Sequence, residues 1–265
     1  YEIRICEDKV MNLNKELYSI IFKRKSFHLF RNIGNDSISA NDIENIKEIY
    51  KTLIPLCPDI KTAIKIVPAN ETTCKRGQQF CILLYSEKRD NYLQNIGYLG
   101  EQLDLYLVSQ NIGTLWFGIG KTNEPSYDGL DFIIMIAISK VDDERKFRKD
   151  MFKSKRKSMD EIWLGEPLGG ISDIVRFAPS ACNTQPWLVE HTDTLLNVYR
   201  YKKQGKRGIM PADKVSFYNQ IDIGIFLYFL DLCLQHKDIK YEVQLYTDNG
   251  ADEEKTLNAV YKILS

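Results

Sequence analysis

The chain has 265 residues, 44% of them hydrophobic and 27% charged, with thirty-six Lys and Arg balanced by thirty-six Asp and Glu. Such a composition suits one large or two small soluble domains, and a formal charge of zero gives no overall basic signal for nucleic acid or membrane. Six scattered cysteines (6, 57, 74, 81, 182, 233) without a C-x-x-C pair, and three distant histidines (28, 191, 236), argue against a structural zinc site or a disulfide framework and for reduced thiols in a cytoplasm.

A first helix is expected from about Asn12 to Lys25, with Leu13, Leu17, Ile20 and Ile21 on one stripe. A second follows Ser39, where Asp42 makes an acidic variant of the capping box. Ile43, Ile46, Tyr50 and Leu53 form its inner face, and Pro55 and Pro58 end it. TAIKIV (62–67) and FCILLYS (80–86) read as strands. Residues 91–111 read as the longest helix, with Gly113 where a C-cap belongs. FIIMIAI (132–138) has the continuous apolarity of a strand buried on both faces. Residues 141–158 carry eight Lys or Arg and read as a solvated connection.

The second half repeats this style. Residues 172–177 form a short helical piece, WLVEH and LLNVYRY are strands, 217–236 is a long apolar helix, and IKYEVQLY is a strand. One long helix and several strands in each half suggest a diverged internal duplication. No apolar run is read as a membrane span, and the N-terminus shows no signal-peptide core.

Three stretches are chemically suggestive. GIGKT (118–122) resembles the end of a phosphate loop, but Leu115 stands where that motif needs glycine and a helix is expected before it. RKSFH (24–28) reads either as a cationic last helical turn or as a phosphate clamp of fork, point charge and hydroxyl. KSKRKS (153–158) has the same two readings. APSACNTQPW (178–187) is too polar for a strand core and too varied for a linker.

Together these stretches resemble the flavin-dependent nitroreductase family. Its pattern has a helix ending in Arg-Arg/His-Ser-x-Arg/Lys, to which Arg24-Lys25-Ser26-Phe27-His28 is similar, with His28 in place of the usual second cation. It has a loop A-P-S-x-x-N-x-Q-P-W, matched at every fixed position by Ala178 to Trp187. It has a long helix running into a glycine turn, here SQNIGTLWFG, and a closing basic segment similar to Lys155 through Glu161. The A-P-S loop stands in the second half, after the closing segment, instead of soon after the first motif. That order is similar to the tandem-repeat branch known as putative TM nitroreductases.

The resemblance implies an α+β fold, a three-layer α-β-α sandwich, in which two diverged halves (1–160 and 161–265) form a pseudo-dimer in one chain. It implies an FMN site at the interface of the halves. Arg24, Lys25, Ser26 and His28 would take the ribityl chain and phosphate, with Arg156 helped by Lys153 or Lys155. Pro179, Ser180, Ala181 and Asn183 would line the ring, while Gln185 and Trp187 hold the loop on the next strand. Phe117, Gly118, Ile119 and Gly120 would run beside flavin N5. The implied activity is ping-pong hydride transfer from NAD(P)H through the flavin to a nitroaromatic, quinone or similar acceptor, with no acid-base residue and no metal. The alternatives are a flavin-binding storage or sensor protein and an interaction protein without flavin. One FMN per chain and a monomer follow from the single complete pairing of clamp and loop, and no nucleic-acid or membrane partner is implied.

Overall fold

The computed structural model describes residues 2–4, 15–202 and 208–264. Its first half contains β1 (Glu2–Arg4), α1 (Leu17–Lys23), α2 (Ala40–Thr52), β2 (Thr62–Pro68), β3 (Phe80–Ser86), α3 (Tyr92–Ser109), β4 (Ile112–Phe117), β5 (Ser126–Tyr127) and β6 (Leu130–Lys140). The second half contains α4 (Met159–Ile162), β7 (Trp163–Leu164), α5 (Ser172–Val175), β8 (Trp187–Thr192), β9 (Leu195–Tyr201), α6 (Val215–His236), β10 (Tyr241–Leu245) and β11 (Lys255–Ile263). The start expected for the first helix, residues 12–14, lies outside the described residues.

These elements form two compact units. The five-stranded unit comprises Ser19–Tyr92 and Leu99–Met151, and the six-stranded unit comprises Tyr1–Tyr18, Leu93–Tyr98 and Phe152–Ser265. In the five-stranded unit the sheet order is β2-β3-β6-β4, with β5 paired to β6, and every pairing is antiparallel. The apolar run of β6 is central there: Ile133 through Ser139 are buried. Helix α2 starts at the expected capping box, in which Ser39 Oγ accepts the Asp42 N–H while Asp42 accepts the Ser39 N–H. Its buried face is Ile46 and Tyr50, with Ile43 and Leu53 half-buried.

The six-stranded sheet runs β1-β10-β11-β9-β8-β7, antiparallel except for the β7–β8 pair. Its strands β8-β9-β11-β10 have the same order as β2-β3-β6-β4, and a long helix separates the second and third strands of each set in the chain. Helix α6, of 22 residues, is longer than α3, of 18, so the longest helix is not the one the sequence suggests. By length and composition α6 is apolar enough to cross a membrane, which the sequence reading passed over, and nearly all of it is buried within the protein.

Two local expectations are corrected. Gly113 does not cap α3: the helix ends through Gln110 and the left-handed Asn111, and Gly113 lies inside β4. A side chain on Gly113 would meet the Phe27 ring, so close packing rather than a turn demands glycine. The basic connection 141–158 is only partly solvated, because Phe147 and Met151 are buried and the Phe147 ring meets Phe27 edge-on at 5.3 Å. Helix α6 ends as α3 does, at left-handed Asp238 after Lys237.

Candidate functional site

In the five-stranded unit the motif Arg24 to His28 leaves helix α1 and runs beside β4, where Ser26 pairs with Thr114. Arg24 does not face solvent. Its guanidinium is 3% exposed and donates from Nε and Nη2 to Asp104 Oδ2 at 3.1 and 2.8 Å, with Glu101 at 3.9 Å. Asp104 also accepts Thr114 Oγ1 at 2.5 Å and the Trp116 indole at 3.0 Å. Burial works against the charge on Arg24, but Asp104 and Glu101 outweigh it and hold the guanidinium above its ordinary pKa. Glu101 is pushed well up, by burial first and then by Asp104. Arg24, expected to take the phosphate directly, is thus already paired with both carboxylates, which lie three residues apart on α3.

The cations around this network have a different character. Arg148, half-buried, has its backbone N–H on the Lys23 carbonyl, which brings it beside the motif. Burial and the charge of Arg24 lower its pKa to about 10. Lys25 is lowered by burial, then by Lys146 and Arg148, and its ammonium lies 4.7 Å from the centre of the Phe27 ring. None of Lys25, Lys146 and Arg148 has a carboxylate within salt-bridge distance among the described residues. Mutually repelling cations left without counter-charge are the electrostatic condition for binding an anion. His28 is exposed.

Phe117 ends β4, and Gly120 turns back to it through a 3.2 Å backbone bond. A side chain on Gly120 would strike Met135 and Phe117, while Ile119 is 60% exposed. Gly118 is half-buried. Contrary to the sequence reading, a strand does precede GIGKT, but no helix follows it, so the phosphate-loop geometry is missing.

The A-P-S loop lies in the six-stranded unit, between α5 and β8. Cys182, Asn183 and Gln185 adopt φ of 51°, 54° and 47°. Every other non-glycine residue with positive φ among the described ones is Asn or Asp, which tolerate it; Cys182 and Gln185 do not. This strain is held by a dense set of bonds. Gln185 is buried, accepts the Lys157 N–H at 2.8 Å, and donates its backbone N–H to Ser180 Oγ at 2.9 Å. Asn183 Nδ2 donates to the Lys155 carbonyl at 3.1 Å, and Arg156 Nη2 to the Phe177 carbonyl at 3.1 Å. Trp187 is fully buried against Phe226, ring centres 5.0 Å apart. Asn183 is exposed, Ser180 and Ala181 are half-buried, and Pro179 is buried. Lys153 and Lys155 are exposed.

Under the loop stands Asp222 of α6, 3% exposed. Its Oδ1 accepts the Ala181 N–H at 2.9 Å, while its Oδ2 has no hydrogen-bond partner among the described residues. Burial pushes its pKa up to about 8, so it is largely a neutral acid at pH 7. The sequence reading missed Asp222 and Arg148. An acidic residue inside the apolar run NQIDIGIFLYF is a visible signal. Arg148, one of eight cations spread over residues 141–158, carries none.

Mixed sheets and helices with an A-P-S loop braced over a long apolar helix define the class as a nitroreductase-like α+β protein. The structure is similar to that of a putative nitroreductase from Thermotoga maritima, with a TM-score of 0.59 and 18% identity over 93% of this chain and 92% of that one. A putative nitroreductase in complex with FMN from Desulfovibrio desulfuricans aligns with a TM-score of 0.41 and 15% identity over 57% of this chain and 97% of that one. A nitroreductase family protein from Clostridium novyi NT aligns at 0.33 and 16% over 52% and 99%. No curated protein matches the chain. The model of the family described as Putative TM nitroreductase matches residues 16–233, and the chain belongs to that family.

Proposed function

We propose that the protein is an FMN-dependent oxidoreductase of nitroreductase type that takes electrons from NAD(P)H and passes them to a small acceptor such as a nitroaromatic or quinone. The observation that carries this reading is the strained A-P-S loop, whose backbone is braced on every side while Asn183 is left exposed at its tip. Strain of this kind, paid for by surrounding bonds, clusters at ligand sites. The residues fit the group. A flavin ring edge needs amide and backbone partners, which Pro179 to Asn183 would supply. An FMN phosphate carries nearly two negative charges, which Lys25, Lys146 and Arg148 of the five-stranded unit would balance, with Ser26 as hydroxyl donor.

When bound, FMN supplies two-electron transfer between a nicotinamide and an acceptor. The chain's own residues then act by binding and orienting. Arg24 positions the phosphate group of residues through Asp104 and Thr114 instead of touching it. Phe117 to Gly120 would lie along the ring, where the side-chain-free Gly118 and Gly120 permit close approach. Neutral Asp222 keeps the Ala181 amide in place without adding a negative charge beneath the loop.

We also infer that residues 1–160 and 161–265 are two diverged copies of one unit. The shared order β2-β3-β6-β4 and β8-β9-β11-β10 supports this. So does the spacing of Gly97, Asp104 and Asn111 on and after α3, which recurs in Gly224, Asp231 and Asp238 on and after α6. On this reading the chain is a cytoplasmic monomer with one FMN.

The test is to saturate the purified protein with FMN and compare flavin absorbance with protein concentration, using light scattering for mass. One flavin per chain, a monomer, and NAD(P)H oxidation with menadione are expected. Arg148→Ala should weaken FMN about ten- to a hundredfold, the loss of one charge-assisted contact worth about 1.5–3 kcal/mol. A folded protein that stays colourless overturns the reading; flavin binding without turnover moves it to storage or sensing.

A further inference from the structure

The turn joining β2 to β3 and the start of β3 carry two cysteines in the sequence CKRGQQFC (74–81), Cys74 in the turn and Cys81 in the strand. Both are buried, Cys74 at 1% and Cys81 at 0% exposure, and both belong to one core cluster of the five-stranded unit. Two polar residues tie them together. The Thr72 hydroxyl lies 3.4 Å from Cys81 Sγ and accepts the Cys74 N–H at 3.3 Å. The Gln78 amide donates to Cys81 Sγ at 3.6 Å and to the Cys74 carbonyl at 2.7 Å. Both Thr72 and Gln78 are themselves buried. An ordinary buried cysteine fills space as a small apolar group and needs no such retinue. Here the Gln78 amide donates to the Cys81 sulfur and the Thr72 hydroxyl, which itself donates to the Ala69 carbonyl, lies beside it, polar company that favours a thiolate and that an apolar thiol does not need.

We propose that Cys74 and Cys81 are a dithiol–disulfide couple, closed by a hydroperoxide, that cross-links the turn between β2 and β3.

The proton distribution agrees with this assignment. The neighbouring Cys74 thiol first, and then Thr72, Gln78 and Lys75, lower Cys81 to about 7 against the effect of burial. Cys74 is pushed up, first by the Cys81 sulfur and then by burial. Cys81 is thus the attacking sulfur and Cys74 the resolving one. The Cys81 thiolate attacks one peroxide oxygen; an S–O bond forms, the O–O bond breaks, and the leaving oxygen takes a proton to depart as water or alcohol. Cys74 then attacks the Cys81 sulfur. An S–S bond forms, the S–O bond breaks, and the departing hydroxide takes the Cys74 proton as water. The thiols lose two electrons and the peroxide gains them. Because both sulfurs are buried, the reaction waits on local opening of the turn, where Gly77 sits at φ 82°.

The cross-link has a neighbour that would sense it. Thr72 pairs with Thr122, and Thr73 donates its N–H to the Lys121 carbonyl at 3.0 Å while its hydroxyl accepts the Lys121 N–H at 2.8 Å. The guanidinium of Arg76, inside the turn, lies 5.6 Å from the centre of the Phe117 ring. The turn therefore grips the segment Phe117–Thr122. That this segment borders a flavin rests on the proposed function; the cross-link itself does not.

The native full-length protein is treated with hydrogen peroxide, its remaining thiols alkylated, and its peptides mapped by mass spectrometry before and after dithiothreitol. A linked Cys74–Cys81 peptide, two hydrogens lighter than the dithiol and restored by reductant, is expected, formed slowly and lost in Cys81→Ser and in Cys74→Ser. The map of the unsubstituted protein stands even where a variant fails to fold. Alkylation of both cysteines after peroxide treatment, with oxidation confined to exposed Cys182, overturns the proposal. The map is made without FMN, so a cross-link in a protein that binds no flavin leaves this inference standing and removes only the proposed function.

Discussion

The five-stranded and six-stranded units share a strand order and diverge in what they bury. In the five-stranded unit α3 presents Glu101 and Asp104 to the buried Arg24. In the six-stranded unit the residue at the matching helix position, Asp231, instead accepts the Tyr98 hydroxyl at 2.6 Å. Among the described residues of that unit the buried arginine is Arg200, which meets Asp248 at 2.6 and 2.9 Å beyond β10. Each unit thus completes its core with one arginine–aspartate pair, but draws the partners from different elements. The same backbone plan holds different polar cores because topology constrains where strands lie, while each buried charge needs only some partner within hydrogen-bond reach.

That comparison is broken most forcefully at Arg24. Arg24→Ala leaves Glu101 and Asp104 buried together with no cation, and should cost about 3–5 kcal/mol of stability in urea unfolding. Because Arg24 acts on FMN through Asp104 and Thr114, FMN affinity should fall together with stability. A variant of native stability with much weaker FMN binding would return Arg24 to the role of direct ligand.

The recurrence between the long helices is sharpened at the glycines. Within the six-stranded unit a side chain on Gly97 would stand 2.0 Å from the Ile221 carbonyl oxygen, and one on Gly224 would stand 1.9 Å from that of Gln94. Backbone cannot yield as a side-chain tip can. Gly97→Ala and Gly224→Ala should each lower stability by about 1–3 kcal/mol. Gly169→Ala, which meets nothing within 4 Å, should stay within about 0.5 kcal/mol. Thermal unfolding of the three variants decides it, and a large cost at one helical glycine alone would break the reciprocity.

At acidic pH the smallest effect is expected at Asp222, and it grows as pH rises. Its carboxyl rises from 3.8 to about 8 on folding. Between these values the folded chain keeps a proton that the unfolded chain has released, so this residue's contribution is fully present below pH 4 and fades as pH rises through 8. Asp222→Asn keeps an oxygen for the Ala181 N–H and should change stability by no more than about 0.5 kcal/mol at acidic pH. Stability measured from pH 4 to pH 9 should fall less steeply in the variant. Equal slopes would mean that Asp222 is ionised in the fold.

Much was legible from residue patterns. The capping box at Ser39, the apolar β6 run and the alternating strands β9 and β10 signal themselves locally, because period and cap chemistry are properties of neighbours in sequence. The A-P-S loop announced itself by its composition, and the buried position of Gln185 and Trp187 agrees with their expected bracing role. The cap of α3 was misplaced because Asn111 supplies the left-handed turn that glycine usually supplies.

What only the tertiary structure decided is the partner of each charge. With its neighbours Lys25 and Ser26, Arg24 reads as a cationic last turn or a phosphate clamp, yet its carboxylates come from α3, some eighty residues onward. Arg148 was one cation among many until its backbone bond to Lys23 brought it to the same place. Cys74 and Cys81 were two scattered thiols until the turn between β2 and β3 set Thr72 and Gln78 around them. Sequence carries the periodicities that choose helix or strand, but the free energy of a buried charge or thiol depends on distances that exist only once the chain has closed on itself.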